Sequence, residues 1–339
     1  MIKRIGLQIG GALLTLVLAS VLSFVILRML PGDPARLIVG PLASDAAVEA
    51  MRVQLGVEQP IFQQYASYIG GFLTGQWGFS YSNGADVATV ISMRLPATLE
   101  LAIFAFVFAV AGALVVATLA TYLRSWAAGL SKTLALVGLG TPPFWLALVL
   151  ILVFAVNAGV LPGPEGRLSR WLAPPPFVTG LYTIDALLAG DLVVLSDALA
   201  HLVLPAIALG AVPWAFLVRL LTANQLDVMS ASFVVVVRSK GKSRWSAHTR
   251  HVVHNALLPT ITSGGVILAT LITSSVLIEQ TFDWPGIGRV LVEGIQRQDF
   301  GIVQVFILLS AFIYVGANLV TDFILELVDP RLRVQRQGA

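Results

Sequence analysis

The stretch ATLELAIFAFVFAVAGALVVATLATYL, residues Ala97–Leu123, decides what kind of molecule this is. It carries a single charge, Glu100, and runs apolar on every side rather than alternating. A spanning helix needs about 20 such residues, whereas a membrane strand would alternate apolar and polar positions. Five more stretches qualify: Ile5–Leu30, Thr133–Asn157, His201–Leu221, Pro259–Gln280 and Ile302–Val328. The expectation is an all-α integral membrane protein with six transmembrane helices.

Composition agrees. The 339 residues are 57% hydrophobic and 12% charged, against about 45–50% and about 25% for a soluble domain. A soluble enzyme lacks its polar coat here, and a disordered chain would need low hydrophobicity and high charge. There is no cysteine, which removes disulfides, thiolate metal sites and a cysteine nucleophile. Net charge is +3, but the basic residues are spread by membrane side and form no patch for nucleic acid. Lys3 and Arg4 precede the first apolar run, which is too long for a signal sequence and reads as an uncleaved anchor.

Lys and Arg also set the orientation. With both termini inside, the cytoplasmic parts hold Lys3, Arg4, Arg124, Lys132, Arg219, Arg238, Lys240, Lys242, Arg244, Arg250, Arg331, Arg333 and Arg336. These are 13 of the 21 basic residues, on the side the positive-inside rule requires. The expected external parts are Pro31–Leu95, a loop around Val160–Ala200 and a short one near Asp283–Gly301. A long cytoplasmic loop covers Thr222–Leu258.

The spans are nearly free of charge. Glu100, Arg219, Asp322 and Glu326 lie near helix ends, where snorkelling accounts for them. A secondary transporter or proton pump keeps ionisable residues near the midplane for its coupling ion. Their scarcity points to an energy source outside the chain. The fifth span is the polar exception: Thr260, Thr262, Ser263, Thr270, Thr273, Ser274 and Ser275 read either as a solvated path or as close helix packing. Gly241-Lys242-Ser243 imitates the end of a phosphate loop, but Val236 stands where the first glycine belongs. His248, His251 and His254 fan out over a helix without a nearby carboxylate and read as a solvated face, not a metal site. Gly241 reads as a break between two short helices of the cytoplasmic loop, a surface able to dock a soluble partner.

Several short motifs, in a fixed order, run along almost the whole chain. They are Leu30-Pro-Gly-Asp-Pro34, Leu55-Gly-Val-Glu-Gln-Pro60, Gly75-Gln-Trp-Gly-Phe-Ser80 and Arg94-Leu-Pro-Ala-Thr-Leu-Glu-Leu101. Further along come His201-Leu-Val-Leu-Pro205, Asn255-Ala-Leu-Leu-Pro259, Phe282-Asp-Trp-Pro-Gly-Ile-Gly-Arg289, Asp299-Phe-Gly-Ile-Val-Gln304 and Asp329-Pro-Arg331. Together they resemble the dipeptide/oligopeptide/nickel permeases of bacterial ABC importers, and among these the first of the two permease subunits. The likeness implies the type I importer architecture, N-in and C-in, in the bacterial inner membrane. Residues 1–93 would be the first helix and external segment, 94–328 the type-1 transmembrane domain and 329–339 a cytoplasmic tail.

The resemblance also implies partners: a homologous second permease, two P-loop ATPases that bind ATP and Mg, and an external substrate-binding protein. Membrane lipid surrounds the chain, and no cofactor belongs to the chain itself. The cytoplasmic loop would carry the "EAA" segment, whose coupling helix fits the ATPase. Gly241, Arg238 and Lys240 match its glycine and basic residues, with Phe233 and Val236 beside them. Val235, Val236 and Val237 depart from the polar or alanine residues usual there. Thr270, Thr273, Ser274 and Glu279 are the candidates for the substrate path. Rival readings are a self-sufficient secondary transporter or channel, and a membrane enzyme.

Overall fold

The structure, a computed structural model, describes residues 2–29, 34–40, 42–123 and 126–328. The expected tail 329–339, Arg124 and most of the Leu30–Pro34 segment lie outside the described residues. Helices dominate. In chain order they begin with α1 (Ile2–Met29), α2 (Pro34–Val39), α3 (Asp45–Leu55) and α4 (Ile61–Thr74). A two-stranded hairpin follows, β1 (Phe79–Ser80) and β2 (Ala85–Asp86). Next come α5 (Val87–Leu123), α6 (Trp126–Gly140), α7 (Pro143–Leu150), α8 (Tyr182–Ala189) and α9 (Leu192–Ser230). The chain continues with α10 (Ser232–Ser239), α11 (Arg244–Ala247), α12 (His254–Ala256), α13 (Leu258–Ser274), α14 (Val276–Thr281), α15 (Ile287–Gln296) and α16 (Phe300–Val328).

Three described helical stretches are long and apolar enough to cross a membrane alone: Val87–Leu123, Leu192–Ser230 and Phe300–Thr321. Two bent pairs bring the number to five, Ala127–Gly140 with Pro143–Asn157 and Arg244–Ala256 with Pro259–Ser274. In α1 the apolar run is Gly10–Val25. The expected span Thr133–Asn157 is bent within its length. It turns by 106° between Gly140 and Pro143, because Pro142 and Pro143 lack the N–H groups that continue a helix. Its second half ends in a π-helical segment, Ile151–Asn157. The expected Pro259–Gln280 span also divides, into α13 and α14, with Ser275 between them. Conversely, α9 overruns its expected ends. Its 39 residues extend about 58 Å, well beyond a hydrocarbon core of about 30 Å.

The chain divides into two compact units. The first comprises residues 1–96 and 286–315. Here α4 is fastened to α1 by hydroxyls and rings: Ser20 to the Tyr65 hydroxyl at 2.7 Å, Ser23 to that of Tyr68 at 3.1 Å, and Phe24 against both rings. The hairpin hangs on Asp299, a fully buried carboxylate. Its Oδ2 accepts from Ser80 Oγ at 2.6 Å, Ser82 Oγ at 2.7 Å and the Ser82 amide at 3.2 Å. This explains an aspartate just before α16, within the Asp299–Gln304 motif.

The second unit comprises residues 97–285 and 316–339. Along α5, Leu101, Ala105, Ala109, Ala113 and Ala117 are all fully buried. Four-residue spacing puts them on one helical ridge. The small ridge lets α9 approach so closely that a Cβ on Gly210 would sit 2.7 Å from the Ala105 carbonyl. Without a strong hydrophobic drive between helices in lipid, such close packing supplies much of the association energy. The motif tryptophan Trp284 is also fully buried and donates its indole N–H to the Ala97 carbonyl at 2.8 Å.

Glu100 does not snorkel. It is 2% exposed and pairs with Arg167 at 2.5 Å, while its Oε1 accepts from the Thr183 amide and hydroxyl, both at 2.8 Å. Arg167 in turn donates to the Gly180 carbonyl at 2.8 Å and lies 3.5 Å over the Tyr182 ring. A buried ion pair thus pins the segment between α7 and α8 to α5. Beside it, Asp185 accepts from the Thr179 amide (2.8 Å) and hydroxyl (2.7 Å) and the Gly180 amide (2.8 Å). Burial alone would push the Asp185 carboxyl up; the bonds from Thr179, Val178 and Gly180 outweigh it and hold it below its ordinary value. A depressed carboxylate stabilises the fold above the unfolded pKa, and that stability is lost as pH falls through the folded one. Thermal melts of the detergent-solubilised chain should therefore lose stability below about pH 4, and Asp185→Asn should melt lower at neutral pH with a flatter acid limb.

Candidate functional site: the cytoplasmic loop and the polar helix

The loop between α9 and α13 is built from short helices separated by capping residues. Three consecutive valines lower the intrinsic helicity of α10, yet the helix forms and ends at Ser239. Gly241 has φ +78°, a left-handed turn that glycine adopts without a Cβ penalty. Ser243 then caps α11, its Oγ accepting from the Ser246 amide at 3.2 Å. The apparent phosphate-loop ending Gly241-Lys242-Ser243 is thus a helix stop followed by a helix start.

Phe233 and Val236 lie one turn apart on α10, 40% and 53% exposed, and Trp245 is 48% exposed. Lys240 and Lys242 are exposed beside them. The backbone of Arg238 lies in α10, and its side chain is outside the described part of the residue. The result is an apolar surface rimmed with positive charge. On its other side Val234 is buried.

The loop is bolted to two long helices. His248 is buried, not solvated, which corrects the reading of the three histidines as one wet face. Its Nε2 lies 3.1 Å from Thr121 Oγ1 at the end of α5. Thr121 also donates to Gln225 Oε1 on α9 at 2.7 Å. The Arg244 guanidinium donates to the Tyr122 carbonyl and lies 4.7 Å over the Tyr122 ring, against which Trp245 packs edge-on at 5.0 Å. Fully buried Gln225 gave no signal in the sequence, because a glutamine near a helix end normally reads as surface.

In α13 the exposed stripe Thr262, Val266, Thr270 and Ser274 recurs every four residues, with Thr273 partly buried beside it. Three of those four carry hydroxyls. Thr270 donates to the Val266 carbonyl at 2.7 Å and Thr273 to the Ala269 carbonyl at 3.2 Å. Back-bonding of this kind satisfies the proton while leaving oxygen lone pairs outward. Glu279 stands apart from this stripe. It is fully buried in α14 and accepts from Thr98 at 2.7 Å and Ser275 at 2.8 Å. Among the described residues no group of three or more His, Cys, Asp or Glu could hold a metal ion.

Residues 109–334 match the family model described as the binding-protein-dependent transport system inner membrane component, and residues 1–102 its N-terminal companion. The chain belongs to this family. The permease is 38% identical to the probable D,D-dipeptide transport system permease protein of Escherichia coli (strain K12), with 95% of each chain covered. It is 35% identical to the di/tripeptide transport system permease protein of Pseudomonas aeruginosa (strain UCBPP-PA14), covering 99% of the permease and 100% of that relative. Its identity to the glutathione transport system permease protein of Escherichia coli (strain K12) is 33%, over 98% and 99% of the two chains. It is thus a multi-pass inner-membrane permease, a transport component and not an enzyme.

The αL turn gives a first test of the loop. Gly241→Val forces a β-branched residue into left-handed backbone at a cost of about 1–2 kcal/mol. The solubilised Gly241→Val permease should melt below wild type, whereas Gly241→Asn, which tolerates that conformation, should stay near it.

Proposed function

We propose that the permease forms half of the translocation path of an ATP-driven importer for di- or oligopeptides. The other half would come from a homologous second permease. In this reading six helices cross the membrane with both termini inside. Two P-loop ATPases, carrying ATP and Mg, dock on the Thr222–Leu258 loop, and an external binding protein delivers cargo. Peptide cargo is inferred from the relatives' names.

One observation carries the reading: an exposed apolar and basic surface on α10 and α11, tied through Thr121, Gln225 and His248 to both α5 and α9. A push on such a loop moves two long helices together. That suits rigid-body alternation between outward and inward states. The hydroxyl stripe of α13 faces away from this chain's own core, where lipid would gain nothing from it and a polar path would. Hydroxyl and backbone groups suit peptides of many sequences, since they select no charge. The test is assembly. Phe233→Glu with Val236→Glu should abolish co-purification of the ATPases while the two permeases stay paired; an intact complex would mean that the ATPases dock elsewhere.

A further inference from the structure

The first unit contains a cleft that the coupling and path residues do not use. It has a volume of about 390 Å³ and lies between α1, α3, α4, the segment before β1 and the start of α16. That size falls within the range of about 300–1,000 Å³ usual for small-ligand pockets. One cation lines it, Arg28, and no carboxylate does among the described residues. The other polar side chains of its wall are the amides of Gln59, Gln64, Gln76 and Gln304 and the hydroxyls of Ser67 and Tyr68.

We propose that this cleft binds the C-terminal end of a short peptide, its carboxylate on Arg28 and its peptide groups against the glutamine amides. The proposal rests on the importer reading and adds a subsite to it. Arg28 is pre-set for the task. Its Nε and Nη2 donate to Gln64 Oε1 at 3.1 and 2.5 Å, and its Cζ sits 3.6 Å over the Phe24 ring. Gln64 is itself fixed, donating to the Val57 and Gln59 carbonyls at 2.9 and 2.7 Å. A guanidinium already immobilised loses little further entropy on binding, and with its Nε edge on Gln64 it offers the opposite edge, Nη1 and the second Nη2 proton, to a carboxylate.

The remaining amides match the donors and acceptors of a peptide bond, since each glutamine offers both. Burial pushes the Tyr68 hydroxyl up to about 12, so at neutral pH it sets no negative charge in the cleft. Trp77 is held by its indole N–H on the Phe72 carbonyl at 3.0 Å and stacks on the Phe72 ring, giving the cleft a rigid apolar wall for a side chain. A Cβ on Gly71 would meet the Gln76 carbonyl at 2.8 Å. The turn that brings Gln76 to the cleft therefore needs glycine there. An anionic lipid headgroup would share the contact to Arg28 but would make no use of the Gln59 and Gln76 amides.

The permease complex in phosphatidylcholine nanodiscs, without binding protein, is dialysed against radiolabelled Ala-Ala. One saturable site is expected. Ala-Ala carrying a C-terminal amide should bind about tenfold more weakly or worse, and Arg28→Gln should cost at least about tenfold for intact Ala-Ala. Gln76→Glu, which spares the Arg28 contacts and sets a negative charge in the wall, should weaken binding as much. It decides the matter if Arg28→Gln fails to assemble. Absence of saturable binding, equal binding of the amidated peptide, or wild-type affinity in the well-folded variants would overturn the proposal. So would native mass spectrometry that finds phosphatidylglycerol retained through Arg28 while Ala-Ala fails to bind. Uptake by the complete system is measured in parallel. Peptide uptake without binding in the cleft rejects only this subsite, whereas no uptake of any peptide rejects the importer reading beneath it.

Discussion

Gly265→Leu is expected to leave almost no folded permease. A Cβ at position 265 would overlap Thr321 Oγ1 and come 2.7 Å from the Ala317 carbonyl, so α13 and this part of α16 touch backbone to backbone. Overpacking of a tight interface costs typically 1–3 kcal/mol and more when backbone must move, and a leucine adds three further carbons. Size-exclusion profiles of the solubilised protein should lose the monodisperse peak. Gly265→Ala should be milder and recover in part when combined with Thr321→Ala, because the hydroxyl overlap then disappears while the carbonyl contact remains. If Gly265→Leu keeps the wild-type profile and melting temperature, the two helices do not pack as described.

The second large effect concerns the buried pair Glu100–Arg167. Removing one partner strands a charge with few routes to water, a loss of about 3–5 kcal/mol. Arg167→Met and Glu100→Gln should each lower the melting temperature sharply. The double variant should be less destabilised than the sum of the two, since neither charge is then orphaned. Additive losses would mean that the two side chains do not interact. Protease sensitivity between α7 and α8 should rise in both single variants, because the pair anchors that segment through Gly180 and Thr183.

How much of this was legible depends on the range of the interaction. The span at Ala97–Leu123 and the break at Gly241 follow from local composition and turn chemistry, whereas α9 was legible only over His201–Leu221. The bend at Pro142–Pro143 was written in two adjacent prolines, but the apolar run on both sides hid it within the span. The Glu100–Arg167 pair could not be read, because its members are 67 positions apart and each alone resembles a helix-end or loop charge. His248 misled for a related reason. Spacing put it with His251 and His254, whereas the end of α5 covers it. Motif residues such as Trp284 and Asp299 were visible as a resemblance, and only the fold gives their physical work: an indole on a carbonyl, and a carboxylate holding a hairpin.

The central claim is that the permease conducts with energy supplied through its cytoplasmic loop. Uptake of radiolabelled dipeptide is measured in proteoliposomes that contain either this chain alone under a proton or sodium gradient, or the chain with its second permease, ATPases and binding protein. The account predicts uptake only in the complete system and only with ATP on the loop side, abolished by Phe233→Glu with Val236→Glu. Gradient-driven uptake by the chain alone, at a rate matching the complete system, would contradict it.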